Sequence, residues 1–322
     1  MTAIQTVKGP LDSSRLGRTL AHEHIITGSG GMDRYPFFNR DDAVEWAVEA
    51  LAQVRSDGID SMIDVTTVDL GRQIDLVMRV AEKSDVNIVV ATGVYRWVPP
   101  PLWGFDADGL AELFVSEIED GIEGTGVRAG IIKIAWDEEA LPSEMRKLRF
   151  EPIARAAARA SKKTGVPVSC HTLASARFGE PLLDIFAEEG LDAGGVYIGH
   201  CNDTEDLEYL LGLASRGAVL GMDRYFPGFA PHWKVRSTVA KAVVDAGYGE
   251  QVCLSHDHAA YGLWATAPVR DPSTYSWIPT RVLPFLRDEG MTDEQIEGVM
   301  VHAPRRLFER AAAATNPHDS NR

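Results

Sequence analysis

The feature that most constrains the fold is a regular alternation between short apolar runs and longer amphipathic stretches. Eight β-rich runs occur in order, at 19–24, 61–65, 86–93, 130–136, 166–172, 196–201, 218–223 and 251–257. Helix-like segments follow them, at 41–56, 70–84, 107–123, 144–164, 180–189, 203–215, 235–246, 280–289 and 292–313. Eight strands that are each followed by helical sequence predict an α/β protein with a closed (β/α)8 TIM barrel.

A doubly wound open sheet is the alternative architecture for such an alternation. That fold binds phosphates at a glycine-rich turn after its first strand, and no such turn follows residues 19–24. We therefore predict a single barrel domain over residues 1–314, in which residues 1–18 form a short N-terminal β lid. Residues 315–322 are expected to form a polar C-terminal tail.

Charge and hydropathy limit the partners and the location. The formal net charge of −15 repels phosphate backbones and anionic lipid, so we expect no nucleic-acid binding. No apolar run approaches the roughly 18 residues of a membrane span, and we expect no membrane association. The first 20 residues lack the apolar core of a signal peptide, and the three cysteines are an odd number. These features favour a reduced, cytoplasmic protein.

Polar residues cluster where the predicted strands end. In a barrel of this kind the carboxyl ends of the strands meet at one face, where the chemistry takes place. The residues at those ends are His22, His24, Lys133, His171, His200 and Asp257. We therefore expect them to converge on one site.

The histidines at these strand ends suggest metal binding. His22 and His24 have the period of two that points both imidazoles to one side of a strand. Alone, this pair is more typical of two hydrogen-bonded histidines than of a metal site. Together with His171, His200 and Asp257 it offers too many ligands for one tetrahedral zinc and about enough for two ions.

Lys133 is unusual because it lies in the apolar strand sequence GIIKIA, where a charged ammonium carries a large desolvation cost. Burial lowers the pKa of an amine, and a neutral amine can react with carbon dioxide to form a carbamate. The carbamate anion would be a suitable bridge between two ions. The alternative is an interior lysine that pairs with a carboxylate such as Asp64 or Asp257.

Six segments carry a resemblance to a known family: TVKGPLDSSRLGRTLAHEHI, GIIKIA, SCHT, IGHCND, GMDRY and LSHDH. In order and approximate spacing they resemble the phosphotriesterase family of the amidohydrolase superfamily. The resemblance implies a more buried ion on His22, His24 and Asp257, and a more exposed ion on His171 and His200. It also implies a carboxylated Lys133 and a hydroxide as bridges. The hydroxide would attack the substrate, and Asp257 would relay a proton. Zinc, cobalt, manganese and iron all tolerate such a ligand set.

Two further positions bear on the substrate. Tyr95 in ATGVY and Arg224 in GMDRY resemble a tyrosine and an arginine of the phosphotriesterase-like lactonases. A phenol near the ions could bond the ring oxygen or leaving alkoxide of a lactone. The alternatives are rim packing for Tyr95 and an ion pair for Arg224, with Asp223 or another rim carboxylate.

The resemblance therefore implies a lactone hydrolase with promiscuous organophosphate triester hydrolysis, and N-acyl homoserine lactones are among the candidate substrates. Aromatic, proline-rich loops at 96–104, 225–233 and 259–277 favour a substrate with an apolar group. A dedicated phosphotriesterase or carboxylesterase is the alternative enzyme, and a metal-binding or metal-free regulatory protein is the alternative outside catalysis. The resemblance also implies a homodimer, for which the segment 35–38 offers an apolar surface.

Overall fold

The computed structural model describes residues 2–28, 38–96, 98–137, 143–225, 231–262 and 270–315. Its strands are β1 (Ala3–Thr6), β2 (Gly9–Asp12), β3 (Thr19–Thr27), β4 (Ser61–Asp64), β5 (Asn87–Val94), β6 (Ile131–Trp136), β7 (Val168–Thr172), β8 (Val196–Ile198), β9 (Val219–Met222), β10 (Val252–Leu254) and β11 (Ala259–Gly262). Its α-helices are α1 (Arg40–Ser56), α2 (Ile74–Glu82), α3 (Ala107–Glu119), α4 (Ser143–Thr164), α5 (Gly179–Glu188), α6 (Leu207–Ser215), α7 (Trp233–Val243), α8 (Leu283–Asp288), α9 (Asp293–Glu297) and α10 (Ala303–Thr315).

Strands β3 to β11 form one parallel sheet in the order β10-β9-β8-β7-β6-β5-β4-β3-β11. The sheet closes on itself because β10 and β11 belong to one stretch of chain, of which β10 pairs with β9 and β11 pairs with β3. The Asp257 amide also donates to the His22 carbonyl, and the His24 amide donates to the His258 carbonyl. The predicted (β/α)8 barrel is confirmed, with a strand inside each of the eight predicted runs.

The eighth strand differs from its prediction. The run 251–257 was expected to be continuous, but β10 ends at Leu254, and residues 255–258 form a turn before β11 begins at Ala259. Asp257 in this turn has a left-handed backbone, with φ of 57°. A left-handed residue cannot continue a strand, so the carboxylate follows a break instead of ending a regular element.

Apolar side chains close the end of the barrel opposite the candidate site. The antiparallel hairpin of β1 and β2 contributes Ile4 and Leu11 to a buried cluster with Ile131 of β6 and Phe308 of α10. The predicted N-terminal β lid is thus a plug at the amino ends of the strands. A second, larger apolar cluster lies between the sheet and the surrounding helices.

Two sequence expectations concern the chain as a whole. Within the described ranges, no helix combines the length and the apolar character that crossing a bilayer requires. The single domain over 1–314 and the polar tail remain predictions. Residues 316–322 of that tail lie outside the described residues, as do residues 35–37 of the proposed interface segment.

Candidate metal centre

The structure brings all six predicted ligand residues together at the carboxyl ends of the barrel strands. His22 and His24 lie on β3, Lys133 on β6 and His171 on β7, while His200 and Asp257 follow β8 and β10. Two of the histidines share one carboxylate oxygen. His22 Nε2 and His24 Nε2 each lie 3.4 Å from Asp257 Oδ1, so the three donor atoms surround one point.

The second oxygen of the same carboxylate faces His200, which in turn contacts His171. His200 Nε2 lies 3.9 Å from Asp257 Oδ2 and 2.6 Å from His171 Nδ1. Asp257 is therefore between two groups of nitrogen donors, with one oxygen towards each group. Such a split donor set of imidazoles and a carboxylate suits two divalent ions better than one.

His22 and His200 present their Nε2 atoms to the centre because a single buried carboxylate contacts their other nitrogens. Asp223 Oδ2 lies 2.8 Å from His22 Nδ1, and Asp223 Oδ1 lies 2.9 Å from His200 Nδ1. The amide of His200 and the hydroxyl of Tyr197 also donate to Asp223. A carboxylate on Nδ1 favours the tautomer that leaves the lone pair on Nε2, facing the centre.

The remaining two imidazoles have the same kind of support. Thr66 Oγ1 lies 2.8 Å from His24 Nδ1, and Asp137 Oδ2 lies 2.7 Å from His171 Nε2. The outer nitrogens, His171 Nε2 and His200 Nδ1, are each bonded to a carboxylate. The two nitrogens that face each other, His171 Nδ1 and His200 Nε2, therefore both carry lone pairs. Two lone pairs at 2.6 Å repel each other unless a cation lies between them. The donor chemistry of these residues therefore fits bound metal ions.

Burial keeps His22 and His171 neutral. It lowers the pKa of His22 to about 4, and the nearby Lys133 lowers it further against the opposing effect of Asp223. The pKa of His171 is also lowered well below its ordinary value, first by burial and then by the neighbouring His200. Neutral imidazole is the form that binds a metal ion, so no proton has to be removed at pH 7.

Lys133 points its amine at the first group of ligands, against His22. Its side chain is only 1% exposed, and its Nζ is 3.0 Å from His22 Nε2. Among the described residues, none of the ion pairs involves Lys133, so the pairing with Asp64 or Asp257 considered above does not form. Burial lowers the pKa of its amine to about 8. A measurable fraction of the amine is then neutral, which is the reactive form in carbamate formation.

Gly93 of β5 allows that strand to pass close to the backbone of Lys133 in β6. A Cβ on Gly93 would lie 2.0 Å from the carbonyl oxygen of Lys133, and Gly93 has a φ of 113° that other residues rarely adopt. Neither the contact nor the backbone angle allows a side chain here. The close approach of β5 to β6 at the centre therefore depends on glycine.

Tyr95 lies directly against the candidate centre. Its hydroxyl is 3.0 Å from His171 Nδ1, the nitrogen that faces His200 and is available to a metal ion, while His171 Nε2 is bonded to Asp137. Burial raises the pKa of Tyr95 above its ordinary value, and the charge of Asp257 raises it further. Asp69 accepts the amide hydrogens of Tyr95 and Arg96, which fixes the backbone that carries the phenol.

Arg224 forms ion pairs at the rim of the site. Its Nη1 lies 2.5 Å from Asp203 Oδ2, and its Nε lies 3.4 Å from Asp257 Oδ2. Asp203 also accepts from the buried Arg236. The ion pair named as the alternative for Arg224 is therefore present, with Asp203 as the rim carboxylate.

The aromatic loops are only partly available to a substrate. Tyr225, Tyr261 and Tyr275 are buried, and Tyr275 donates to the His24 carbonyl while it accepts from the Ala260 amide. These three tyrosines therefore pack within the loops instead of presenting their faces to a substrate. Trp103 in the first loop is 73% exposed. Residues 97, 226–230 and 263–269 of these loops lie outside the described ranges.

Four supporting residues were not identified as part of the site from the sequence: Glu23, Thr66, Asp137 and Asp223. Asp223 is visible in the sequence as a strand-end residue beside Arg224, but the only role considered for it was an ion pair with that arginine, and not support of the ligands. Thr66 lies two residues after the end of β4, and Asp137 follows β6 directly. A rule that polar residues just after barrel strands support the ligands would have found all except Glu23.

Comparison with known proteins agrees with this geometry. The model of the phosphotriesterase family matches residues 2–308. A phosphotriesterase homology protein of Mycobacterium tuberculosis is 38% identical over 96% of this chain and 98% of that protein. An aryldialkylphosphatase of Saccharolobus solfataricus is 32% identical over 94% and 98% of the two chains. The solved structure of the phosphotriesterase from Mycobacterium tuberculosis superimposes with a TM-score of 0.87 at 36% identity, covering 96% of this chain and 98% of that one. The chain therefore belongs to the phosphotriesterase family and is a metal-dependent hydrolase.

Proposed function

We propose that this hydrolase opens lactones, with promiscuous activity on organophosphate triesters. The observation that carries the proposal is the Tyr95 hydroxyl, which is held 3.0 Å from His171 Nδ1 at the face of the centre. Membership of the family establishes that the reaction is a hydrolysis. The Tyr95 phenol favours an alkoxide leaving group, as in a lactone, over an aryl phosphotriester's phenoxide.

The proposed centre holds two divalent transition ions, which are zinc, cobalt, manganese or iron. His22, His24 and Asp257 would hold one ion, and His171 and His200 the other. When bound, such ions polarise a carbonyl or phosphoryl oxygen and make hydroxide available at neutral pH. Lys133 would bridge them as a carbamate, formed when its neutral amine attacks carbon dioxide and releases one proton. The pKa of about 8 for this amine supports that step.

The phenol of Tyr95 matters most when the leaving group is a poor one. A lactone releases an alkoxide, which is strongly basic and needs a hydrogen-bond donor or a proton as the ring opens. An aryl phosphotriester releases a phenoxide, which is far less basic and leaves without help. Because the pKa of Tyr95 is raised by burial, its hydroxyl keeps its proton and can donate across the working pH range.

Asp257 and Arg224 are the other proposed catalytic residues. Asp257 would accept a proton released during the attack, since its carboxylate lies between the two groups of histidines. Arg224 cannot take that proton further, because a guanidinium stays protonated. Its place 3.4 Å from Asp257 Oδ2 suits a fixed positive charge that orients this carboxylate and a substrate carbonyl.

The apolar part of the substrate has a candidate location beside the first aromatic loop. A groove of about 550 Å³ is lined by Val98, Leu102, Trp103 and Phe105, together with residues of α3 and α4. Arg149 lines the groove and donates to the carbonyl of Arg96, the residue after Tyr95. An acyl chain that reaches past Tyr95 would find apolar contacts there.

The Tyr95→Phe variant tests the proposal. The variant and the wild-type enzyme are compared on γ-, δ- and N-acyl homoserine lactones and on one aryl phosphotriester, after metal analysis of both proteins. We expect a wild-type kcat/KM that is higher for lactones, and a loss in the variant of about 10²-fold on lactones against less than about 5-fold on the triester.

Other results would support other functions. Higher wild-type activity on the triester would favour a dedicated phosphotriesterase, as the aryldialkylphosphatase relative suggests, and higher activity on open-chain esters would favour a carboxylesterase. Equal losses on both substrates would contradict the role of Tyr95. A protein that binds two metal ions but is inactive on all of these substrates would leave the fold and the site in place and contradict the substrate inference drawn from Tyr95 and Arg224.

The proposed partners are the small-molecule substrate and a second copy of the chain, and the proposed location is the cytoplasm. All three cysteines are buried and free, as a reducing compartment allows. The homodimer rests on the family resemblance and predicts about twice the monomer mass of 35.2 kDa by light scattering. A monomer mass at micromolar concentration would contradict it.

A further inference from the structure

Glu23 is a fully buried carboxylate that the proposed chemistry does not use. It lies between His22 and His24 on β3, so strand alternation places its side chain on the face opposite theirs. A carboxylate without exposure to water is costly unless hydrogen-bond donors surround it. The residues that supply those donors indicate what Glu23 does.

Four donors to Glu23 come from one short turn. Its Oε1 accepts from the Ser255 hydroxyl, the His256 amide and His256 Nδ1, each at 2.7 Å. Its Oε2 accepts from the His258 amide at 3.2 Å. The donors belong to residues 255–258, which connect β10 to β11. Glu23 therefore ties this turn to the strand that carries two of the histidine ligands.

The same turn contains Asp257 in a left-handed conformation, with φ of 57°. This conformation lets Asp257 Oδ1 lie 3.4 Å from both His22 Nε2 and His24 Nε2 while Oδ2 faces His200. The left-handed region is less favourable for an aspartate than for glycine, so the surrounding contacts must maintain it. The two amides that Glu23 binds are those on either side of Asp257.

His256 extends this arrangement to the next helical segment. Its Nδ1 donates to Glu23, and its Nε2 accepts from the Ile278 amide at 3.0 Å. The fully buried imidazole therefore connects β3, the turn and the chain that leads into α8. Ser255 adds a further link, because its hydroxyl also accepts from the His22 amide.

We propose that Glu23 is a positioning residue that fixes the left-handed backbone of Asp257 and thereby presents one carboxylate oxygen to each half of the centre. The proposal rests on the role of Asp257 as a metal ligand in the proposed function. Glu23 acts through Asp257 and has no contact with substrate. His256 is its principal partner.

Metal binding by the full-length protein tests this proposal without using turnover. Co²⁺ and Zn²⁺ are each titrated in competition with a chromophoric chelator, and the visible spectrum of the Co²⁺ protein is recorded. In Glu23→Gln one carboxylate oxygen becomes an amide NH2 group that faces an N–H donor, so the turn should open. We expect at least one ion to bind about 10- to 100-fold more weakly, with a changed Co²⁺ spectrum.

A double-mutant cycle separates positioning from general stability. Asp257→Asn alone should weaken metal binding, and adding Glu23→Gln to it should cause no further loss, because the residue that Glu23 positions is already impaired. Glu309→Gln is the matched control, since Glu309 accepts from Ser13 at the opposite end of the barrel. The control should bind both ions like the wild type.

Several results would overturn the proposal. These are wild-type affinity and spectrum in a folded Glu23→Gln protein, additive losses in the cycle, or unchanged metal binding in Asp257→Asn. If Glu23→Gln does not fold, His256→Asn and His256→Ala replace it. Asparagine can supply an N–H near the position of Nδ1, so His256→Asn should keep the metal affinity within about threefold of the wild type. His256→Ala supplies no donor and should lose that affinity. Equal metal affinities of the two variants would overturn the proposal. A wild-type protein that binds two ions but opens no lactone would contradict the proposed function and leave this test valid.

Discussion

The six candidate ligands fall into two groups that differ in backbone conformation. Four lie on regular strands, and two lie just past strand ends with left-handed backbones, at φ of 64° for His200 and 57° for Asp257. The four strand ligands are His22, His24, Lys133 and His171. Strand geometry alone directs those side chains to the interior, whereas nothing in the strand pattern directs the other two.

Buried carboxylates supply what the strands do not. Asp223 accepts from both the amide and Nδ1 of His200, and Glu23 accepts the amides on either side of Asp257. Both carboxylates are completely inaccessible to water. The comparison teaches that a ligand outside a regular element needs a buried acceptor to hold its backbone, and that the strand ligands need support only for the orientation of their rings.

The largest difference should appear between two supporting carboxylates. Asp223→Asn replaces one of the two carboxylate oxygens that contact His22 and the left-handed His200 by an amide NH2 group, and we expect metal affinity to fall by about 100-fold. Asp137→Asn alters the ring orientation of the strand ligand His171 and also the ion pair of Asp137 with Arg96, and we expect about a tenfold loss. Chelator competition with Zn²⁺ measures both. Equal losses would show that backbone conformation does not distinguish the two groups.

A second prediction concerns the strand ligand Lys133. Gly93→Ala brings a Cβ within 2.0 Å of the Lys133 carbonyl oxygen at a φ of 113°, and we expect a loss of about 2–4 kcal/mol in the free energy of unfolding. Gly124→Ala is the control, because Gly124 also has positive φ but no atom within 4 Å of the added Cβ. Denaturant unfolding of the metal-free proteins compares them, and similar losses would contradict the close-packing argument.

Lys133→Met should stabilise the metal-free protein by about 1–2 kcal/mol at pH 7, because it removes a buried charge without a carboxylate partner. The folded pKa of about 8 is below the ordinary 10.5, so the unfolded state binds more protons between these values. Wild-type stability therefore rises with pH over this window, and the advantage of the variant should shrink from pH 8 to 10.5.

The measurement is urea unfolding of both metal-free proteins in buffers freed of carbon dioxide. A variant that is less stable than the wild type at pH 7 would contradict the desolvation argument. An advantage that grows between pH 8 and 10.5 would contradict the assigned direction of the pKa shift.

The smallest effect should come from an ion network far from the centre. Glu189 accepts from Arg159 and Arg155, and these hydrogen bonds lower its pKa to about 2. Its contribution to stability is present above about pH 4.5 and is lost as the pH falls through 2. Glu189→Gln should cost less than about 1 kcal/mol at pH 7, an effect that vanishes near pH 2. Thermal unfolding measures this loss of stability. A change in the metal affinity of Glu189→Gln would contradict the view that this ion network affects stability and not the metal centre.

Much of the fold could be predicted from the sequence because strand and helix periodicity are local properties. Every predicted run contains a strand, and His22, His24, Lys133 and His171 follow directly from alternation on those strands. The left-handed ligands could be placed only approximately. His200 and Asp257 were assigned to strand ends, and their actual backbone conformation depends on carboxylates from other strands.

The supporting residues could not be predicted for the same reason. Which acceptor meets which imidazole depends on how neighbouring strands are staggered around the barrel, and no single segment contains that information. Asp223 contacts His22 across the barrel interior, and Asp203 rather than Asp223 forms the ion pair with Arg224. The burial of Tyr225 and Tyr275 likewise depends on packing between distant loops.

Anomalous scattering from crystals soaked in zinc tests the central claim most directly, because it locates the ions and their ligands independently of activity. We expect two peaks, one bounded by His22, His24 and Asp257 and the other by His171 and His200, and additional density on Lys133 Nζ between them. A single peak among His22, His200 and Asp223, whose donor atoms also lie close together, would contradict the two-ion centre.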